Sequence, residues 1–176
     1  MKIGLDGWLE GVKKIVSPNF DARPSGVPVS LLVIHNISLP PGIFGGNDIL
    51  SLFTNTLVSD THPFYADLRD LRVSSHFLIR RDGEIIQFVS CCQRAWHAGH
   101  SSWQGKERCN DFSIGIELEG TDDRPFEESQ YKTLECLAAA INIAFPIEAV
   151  VGHSDIAPGR KSDPGPFFDW SRIKEV

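Results

Sequence analysis

Three side chains that are far apart in the chain could together hold a divalent metal ion. His35 closes the apolar run Leu31-Leu32-Val33-Ile34, and His153 closes Ala149-Val150-Val151-Gly152. Asp163 follows ten residues later, inside Gly159-Arg160-Lys161-Ser162-Asp163-Pro164-Gly165-Pro166. Side chains at strand ends face the loops along one sheet edge, where they can converge on a shared point. Two imidazoles and one carboxylate make a three-ligand zinc site with the fourth position left to water. The proline after Asp163 biases that residue toward extended backbone and restricts the loop.

Spacing alone leaves rivals open, because the chain has six histidines. His97 and His100, three apart in Trp96-His97-Ala98-Gly99-His100, could pair locally around a metal, although the segment reads as a loop. His76, in Ser74-Ser75-His76-Phe77, reads as packed within a strand, and His62 before Pro63 as a loop residue. Asp155 lies too near His153 to be an obvious third ligand and is expected to cap the turn at 154–157.

The run Ile114-Gly115-Ile116-Glu117-Leu118-Glu119 alternates, with the aliphatic residues on one face and the two glutamates on the other. A carboxylate among buried strand residues is costly unless it is paired or working, so Glu117 is an acid–base candidate. Periodicity does not choose between Glu117 and Glu119. Lys161 is either a surface charge or a partner for a developing oxyanion.

The elements that would carry these groups follow from the hydrophobic pattern. Residues 1–28 begin with a helix-like stretch in which Leu5, Trp8, Leu9 and Val12 can share a face, followed by a proline-rich stretch. Residues 29–35 read as a buried strand, and Asn47 or Asp48 can cap a helix through Leu50, Leu52 and Phe53. Residues 72–80 and 84–89 read as two strands joined at Arg81-Asp82-Gly83, where the Asp-Gly pair suits a hairpin. A strand at 113–119 precedes a helix at about 127–145, in which Tyr131, Leu134, Leu137, Ala138, Ile141 and Phe145 recur at three- and four-residue spacing. Residues 149–153 form a last strand. The expected fold is α/β (α+β): a single domain over 1–176, with a mixed central β-sheet flanked by helices.

Composition narrows the function classes. At 176 residues, with 41% hydrophobic and 23% charged, the chain is long enough for one stable core and too apolar for disorder. A net charge of −6 disfavours a phosphate-binding surface, so nucleic acid is not the expected partner. No apolar run approaches a membrane span, and the first ten residues mix acids and glycines where a signal peptide needs an apolar stretch. Four cysteines without regular spacing read as free thiols in a reducing compartment. The expectation is a cytoplasmic monomer.

Taken in order, His35-Asn36, Ser75-His76-Phe77, Trp96-His97-Ala98-Gly99, Ser113-Ile114-Gly115-Ile116-Glu117, Gly152-His153-Ser154-Asp155-Ile156-Ala157-Pro158-Gly159-Arg160-Lys161 and Asp163-Pro164-Gly165-Pro166 span most of the chain. They closely resemble the zinc N-acetylmuramoyl-L-alanine amidases related to peptidoglycan recognition proteins and T7-type phage lysozymes. Asn110-Asp111-Phe112 and Asn36-Ile37-Ser38-Leu39-Pro40-Pro41-Gly42 are most similar to the branch acting on 1,6-anhydro-N-acetylmuramyl peptides in cell-wall recycling. Many relatives carry cysteine as the third ligand where this chain has Asp163, which fits that branch.

The resemblance implies Zn2+ on His35, His153 and Asp163, Glu117 rather than Glu119 as the group that activates water, and Lys161 facing the oxyanion. It further implies contacts from Asn36, Arg72 and Arg108 to the sugar or stem peptide of a small muropeptide. Two other functions go with the same fold. One is a non-catalytic muropeptide-binding protein, which would lack a complete ligand set. The other is a wall-degrading autolysin or endolysin, which would bring a signal peptide, wall-binding repeats or a basic surface.

Overall fold

The structure, a computed structural model, describes residues 1–173. Ten strands and three α-helices follow in the order β1 (Lys13–Lys14), β2 (Phe20–Ala22), β3 (Leu31–Ile37), α1 (Asp48–Phe53), β4 (Phe77–Ile79), β5 (Ile85–Gln87), β6 (Gln93–Ala95), β7 (Ser102–Trp103), β8 (Lys106–Glu107), β9 (Ser113–Glu119), α2 (Glu128–Ala144), β10 (Ala149–Gly152) and α3 (His153–Ile156). Six strands form the central sheet in the order β1-β5-β4-β9-β3-β10. β4 and β5 are antiparallel, as the Asp82-Gly83 hairpin requires, and the other pairings are parallel. This is the mixed sheet that the pattern predicts.

Alternation divides the sheet into two faces. Leu32 and Ile34 of β3, Ile114, Ile116 and Leu118 of β9, and Phe77 and Ile79 of β4 pack in one core with Leu134, Leu137, Ala138 and Ile141 of α2. Each of those aliphatic side chains is fully buried, and each Leu or Ile contributes on the order of 1.5–3 kcal/mol relative to exposure. Gln130 fixes where α2 starts. Its side-chain oxygen accepts from the Glu127 amide at 3.0 Å, and its Nε2 donates to the carbonyls of Ile79 and Glu119. The opposite face carries His35, Ser113, Gly115, Glu117 and Glu119, below the loops between strands and helices.

Register decides which residues meet on that second face. β3 and β9 pair in parallel, with His35 opposite Glu117 and Val33 opposite Gly115. β10 pairs with β3 from Ala149 against Leu31 to Gly152 against Ile34, so His153 emerges one residue beyond the strand, next to His35. There the chain turns into α3, where the Asp155 carboxylate accepts from the Gly152 amide at 2.7 Å, the expected cap.

Three expectations about elements change. Residues 1–12 are not helical: Gly7 and Gly11 both have φ of 77°, Ile3 bridges to Leu9, and Leu5 is fully exposed while Leu9 is fully buried. The extended segment at 72–80 shortens to Phe77–Ile79; ahead of it the Ser74 amide donates to the Trp96 carbonyl, outside the central sheet. His35 lies within its strand, which runs on to Ile37. No helix among the described residues is long and apolar enough to cross a membrane.

Candidate metal centre

His35, His153 and Asp163 meet at the floor of a cleft of about 340 Å³. His35 Nδ1 lies 3.0 Å from His153 Nδ1 and 3.0 Å from Asp163 Oδ2, and His153 Nδ1 is 3.1 Å from the same oxygen. Ligand atoms at about 2.0–2.1 Å around a tetrahedral ion stand roughly 3.3 Å apart, close to this arrangement. Among the described residues, no other trio of His, Cys, Asp or Glu side chains gathers in this way.

The far sides of the two rings explain why this donor set fits a cation. His153 Nε2 faces the Ala98 carbonyl at 3.2 Å, an acceptor that requires the ring proton on Nε2. His35 Nε2 lies 2.9 Å from His97 Nδ1. With the protons on the Nε2 atoms, both Nδ1 lone pairs and a carboxylate oxygen point at one another with no hydrogen between them. Burial pushes the His35 imidazole down to about 4 against the opposing pull of Asp163, so it is neutral near pH 7. Burial alone would raise the Asp163 carboxyl, but its contacts with His153 and His35 more than offset this and hold it below the usual carboxylate range.

Glu117 and Lys161 line the same cleft. Glu117 is 8% exposed, and its Oε2 is buried without a hydrogen-bond partner. Burial, reinforced by the charge of Asp163 and opposed by Lys161, raises its carboxyl well above the ordinary range. An orphaned buried carboxylate oxygen beside a converging ligand set is a group waiting for a proton, a water or a substrate atom.

Glu119 is different. It is 1% exposed, and its Oε1 accepts from Arg80 at 3.0 Å and from the Gly45 amide at 2.7 Å. Lys161 is exposed at the cleft rim, with its amide bonded to the Ala157 carbonyl.

The other sequence candidates scatter. Asn36 lines the cleft and donates to Asp122 at 2.6 Å and to the Pro164 carbonyl at 3.0 Å. Arg72 lies between the cleft-lining Leu71 and Val73, but its guanidinium turns back onto the carbonyls of Arg69 and Leu71. Arg108 is exposed, pairs with Asp111 at 3.3 Å and does not line the cleft. The cleft lining also includes the apolar residues Leu52, Phe53, Phe64, Leu68 and Leu71.

His97 and His100 do not pair: His100 is exposed, while His97 is buried against His35. The spacing argument missed His97 as a partner of the ligand set. A usable signal was present in Gly115, which stands between Ser113 and Glu117 on the polar face of a strand, where a glycine marks close approach of another group. A Cβ there would meet the His97 ring at 2.5 Å. His76 packs as expected, accepting from the Gly115 amide at 3.0 Å.

Comparison with known proteins gives concordant similarities. The family model for N-acetylmuramoyl-L-alanine amidase matches residues 25–166. The chain is 55% identical over 170 residues to the 1,6-anhydro-N-acetylmuramyl-L-alanine amidase AmpD of Escherichia coli (strain K12), covering 96% of this chain and 93% of that protein. A crystal structure of a selenomethionine AmpD derivative superimposes with a TM-score of 0.95 at 54% identity, covering 98% of this chain and 97% of that one. The N-acetylmuramyl-L-alanine amidase AmiD from E. coli, solved with the substrate anhydro-N-acetylmuramic acid-L-Ala-D-gamma-Glu-L-Lys, matches with a TM-score of 0.61 at 35% identity, covering 84% of this chain and 57% of that one.

Proposed function

Because this chain belongs to the N-acetylmuramoyl-L-alanine amidase family, we propose that it hydrolyses the amide bond between 1,6-anhydro-N-acetylmuramic acid and L-alanine in peptidoglycan fragments during cell-wall recycling. The observation that carries this reading is the convergence of His35, His153 and Asp163 beside the unpartnered oxygen of Glu117 in one cleft. The 55% identity to a protein named for that reaction supports the anhydro sugar as the substrate class. All of residues 1–176 serve as one amidase domain, and the acting species is a cytoplasmic monomer whose partner is a small muropeptide, not nucleic acid.

Zinc is the ion the donor set suits, and when held by His35, His153 and Asp163 it would supply Lewis acidity to the scissile carbonyl and to an attacking water. Glu117 takes a proton from that water as its oxygen bonds to the carbonyl carbon. The same carboxyl then gives the proton to the alanine nitrogen as the C–N bond breaks. Burial and the charge of Asp163 raise the Glu117 carboxyl above its ordinary range and Lys161 opposes them, while a cation held beside it would favour the ionised form that accepts the water proton.

Lys161 donates to the oxygen that gains charge in the tetrahedral state. The apolar side chains of Leu52, Phe53 and Phe64 lower the polarity of part of the cleft lining, which strengthens polar contacts made beside them. Asn36 faces the sugar. Arg72 and Arg108 are suited to the free carboxylates of the stem peptide, Arg72 once it leaves the Arg69 and Leu71 carbonyls.

Mass spectrometry of an anhydro-muropeptide incubated with the protein, with and without a chelator, tests the reading. A free peptide beginning at alanine that disappears on chelation is the expected result. Stoichiometric zinc uptake with no product would leave a binding protein of the same fold.

A further inference from the structure

The two ligand imidazoles take their outer hydrogen bonds from consecutive residues. His35 Nε2 meets the side chain of His97 at 2.9 Å, and His153 Nε2 meets the backbone carbonyl of Ala98 at 3.2 Å. The dipeptide is itself clamped: the Asn110 Oδ1 accepts from both the His97 amide at 3.1 Å and the Ala98 amide at 2.8 Å. Beyond His97, its Nε2 lies 3.1 Å from Ser113 Oγ. The His97 ring fits over β9 because residue 115 is glycine, where any Cβ would collide with it.

From this we infer that His97–Ala98, held by Asn110, is the positioning element that fixes the tautomer and aim of both ligand imidazoles. The inference rests on the metal reading above. Proton accounting makes it directional. For His35 to offer Nδ1 as a ligand, its proton sits on Nε2, so His97 must accept at Nδ1 and carry its own proton on Nε2, which it donates to Ser113 Oγ. Ala98 does the same for His153 through a carbonyl that cannot change role, and that carbonyl is further pinned by Arg160 Nη2 at 2.8 Å. One side chain, Asn110, thereby controls both ligands through two amides thirteen and twelve residues earlier in the chain. Outer partners of this kind are worth 10–100-fold in metal affinity.

The test uses the full-length chain and two readouts. Long-range 1H–15N correlation of the metal-free protein reports which His35 nitrogen carries the proton, and competition against a chromophoric chelator reports Zn2+ affinity. His97→Phe keeps the ring and removes the acceptor; it is expected to mix the His35 tautomers and weaken Zn2+ by 10–100-fold. Asn110→Leu is expected to weaken Zn2+ similarly, and Asn110→Asp, which keeps an acceptor for both amides, to restore it. Ser113→Ala is the mild variant if the ring substitution fails to fold: it removes the acceptor for the His97 Nε2–H and should shift the His97 and His35 tautomers together.

His97→Phe with a single Nε2–H tautomer at His35 and wild-type Zn2+ affinity would overturn the inference. So would Asn110→Leu indistinguishable from Asn110→Asp. Wild-type protein that took up no Zn2+ would defeat the metal reading, while the metal-free spectra would still decide the tautomer claim.

Discussion

Glu117 and Glu119 lie two residues apart on the same face of β9, nearly equally buried, yet only Glu119 is neutralised by a partner. Arg80 and the Gly45 amide take up Glu119 Oε1, whereas Glu117, which lines the cleft, has its Oε2 buried without a hydrogen-bond partner. A paired carboxylate is part of the scaffold, and an unpaired one beside a ligand set is available for proton transfer.

Glu117→Gln is therefore expected to lower turnover by on the order of 10²–10⁴-fold while zinc content stays stoichiometric and stability does not fall. Single-turnover kinetics with metal analysis checks this. Unchanged turnover would remove Glu117 from the proton shuttle.

Glu119→Ala should act on the fold instead. It removes the close partner of Arg80, a residue 8% exposed that is left with Glu84 at 4.0 Å, and releases the loop at Gly45, at a cost of about 3 kcal/mol in urea unfolding. The folded fraction should still cleave substrate, with the effect concentrated in KM because Ser38 and Leu39 of the same loop line the cleft.

Acid should destabilise the metal-free protein, and the sign can be worked out. Burial holds His76 down to about 3 and His35 to about 4, and lowers His97 as well, so each is neutral in the fold and protonated in the unfolded chain below 6.5. The stability they contribute is fully present above pH 6.5 and lost as pH falls toward 3 or 4. Glu117 runs the other way: its raised value contributes stability that is present below 4.5 and lost as pH rises through it. At pH 5.5 the unfolded chain therefore carries protons at His35 and His76 that the fold does not, and each such proton is worth about 1.4 kcal/mol per pH unit. Urea midpoints between pH 7.5 and 5 should fall, and fall more steeply in Glu117→Gln. A flat profile in both proteins would contradict the burial of these imidazoles.

Removing the metal should lower stability as well as activity. Free Zn2+ at 100 times its Kd adds about 2.7 kcal/mol to the folded state, so a chelator should depress Tm in wild-type protein. His153→Ala and Asp163→Ala should show neither the zinc-dependent Tm nor cleavage. A zinc-dependent Tm that persisted in Asp163→Ala would take that carboxylate out of the ligand set.

Gly115→Ala adds one methyl against the His97 ring. Overpacking of this kind costs about 1–3 kcal/mol, and zinc affinity should fall with it. Calorimetry paired with chelator competition separates the two effects.

The meeting of the three candidate ligands was more legible in the sequence than the scaffold around them. The strand at 113–119 and the helix from about 127 matched because each carries a long, uninterrupted period. His35, His153 and Asp163 meet as expected because two short apolar runs ended in histidine and parallel pairing brought those ends side by side. The N-terminal segment misled: Leu5, Trp8, Leu9 and Val12 have helical spacing, but two glycines with positive φ turn the chain before any helical turn closes. His97 was passed over because its partner lies 62 residues earlier, and a local pair with His100 was the nearest reading that spacing allows. Arg72 and Arg108 came from resemblance and lie outside the cleft lining, their guanidinium groups occupied by local carbonyls and by Asp111.

The alignment of His35 with Glu117 across two parallel strands has a consequence for how such a chain can change length. Removing or inserting one residue within either strand ahead of these positions turns every later side chain to the opposite side. It would send an imidazole or a carboxylate into the layer under α2. Substitutions can accumulate around the pair, but length variation is confined to the connections, chiefly 38–47 and 54–76. Those connections are where a lineage could reshape what the cleft admits without touching the ligands at its base.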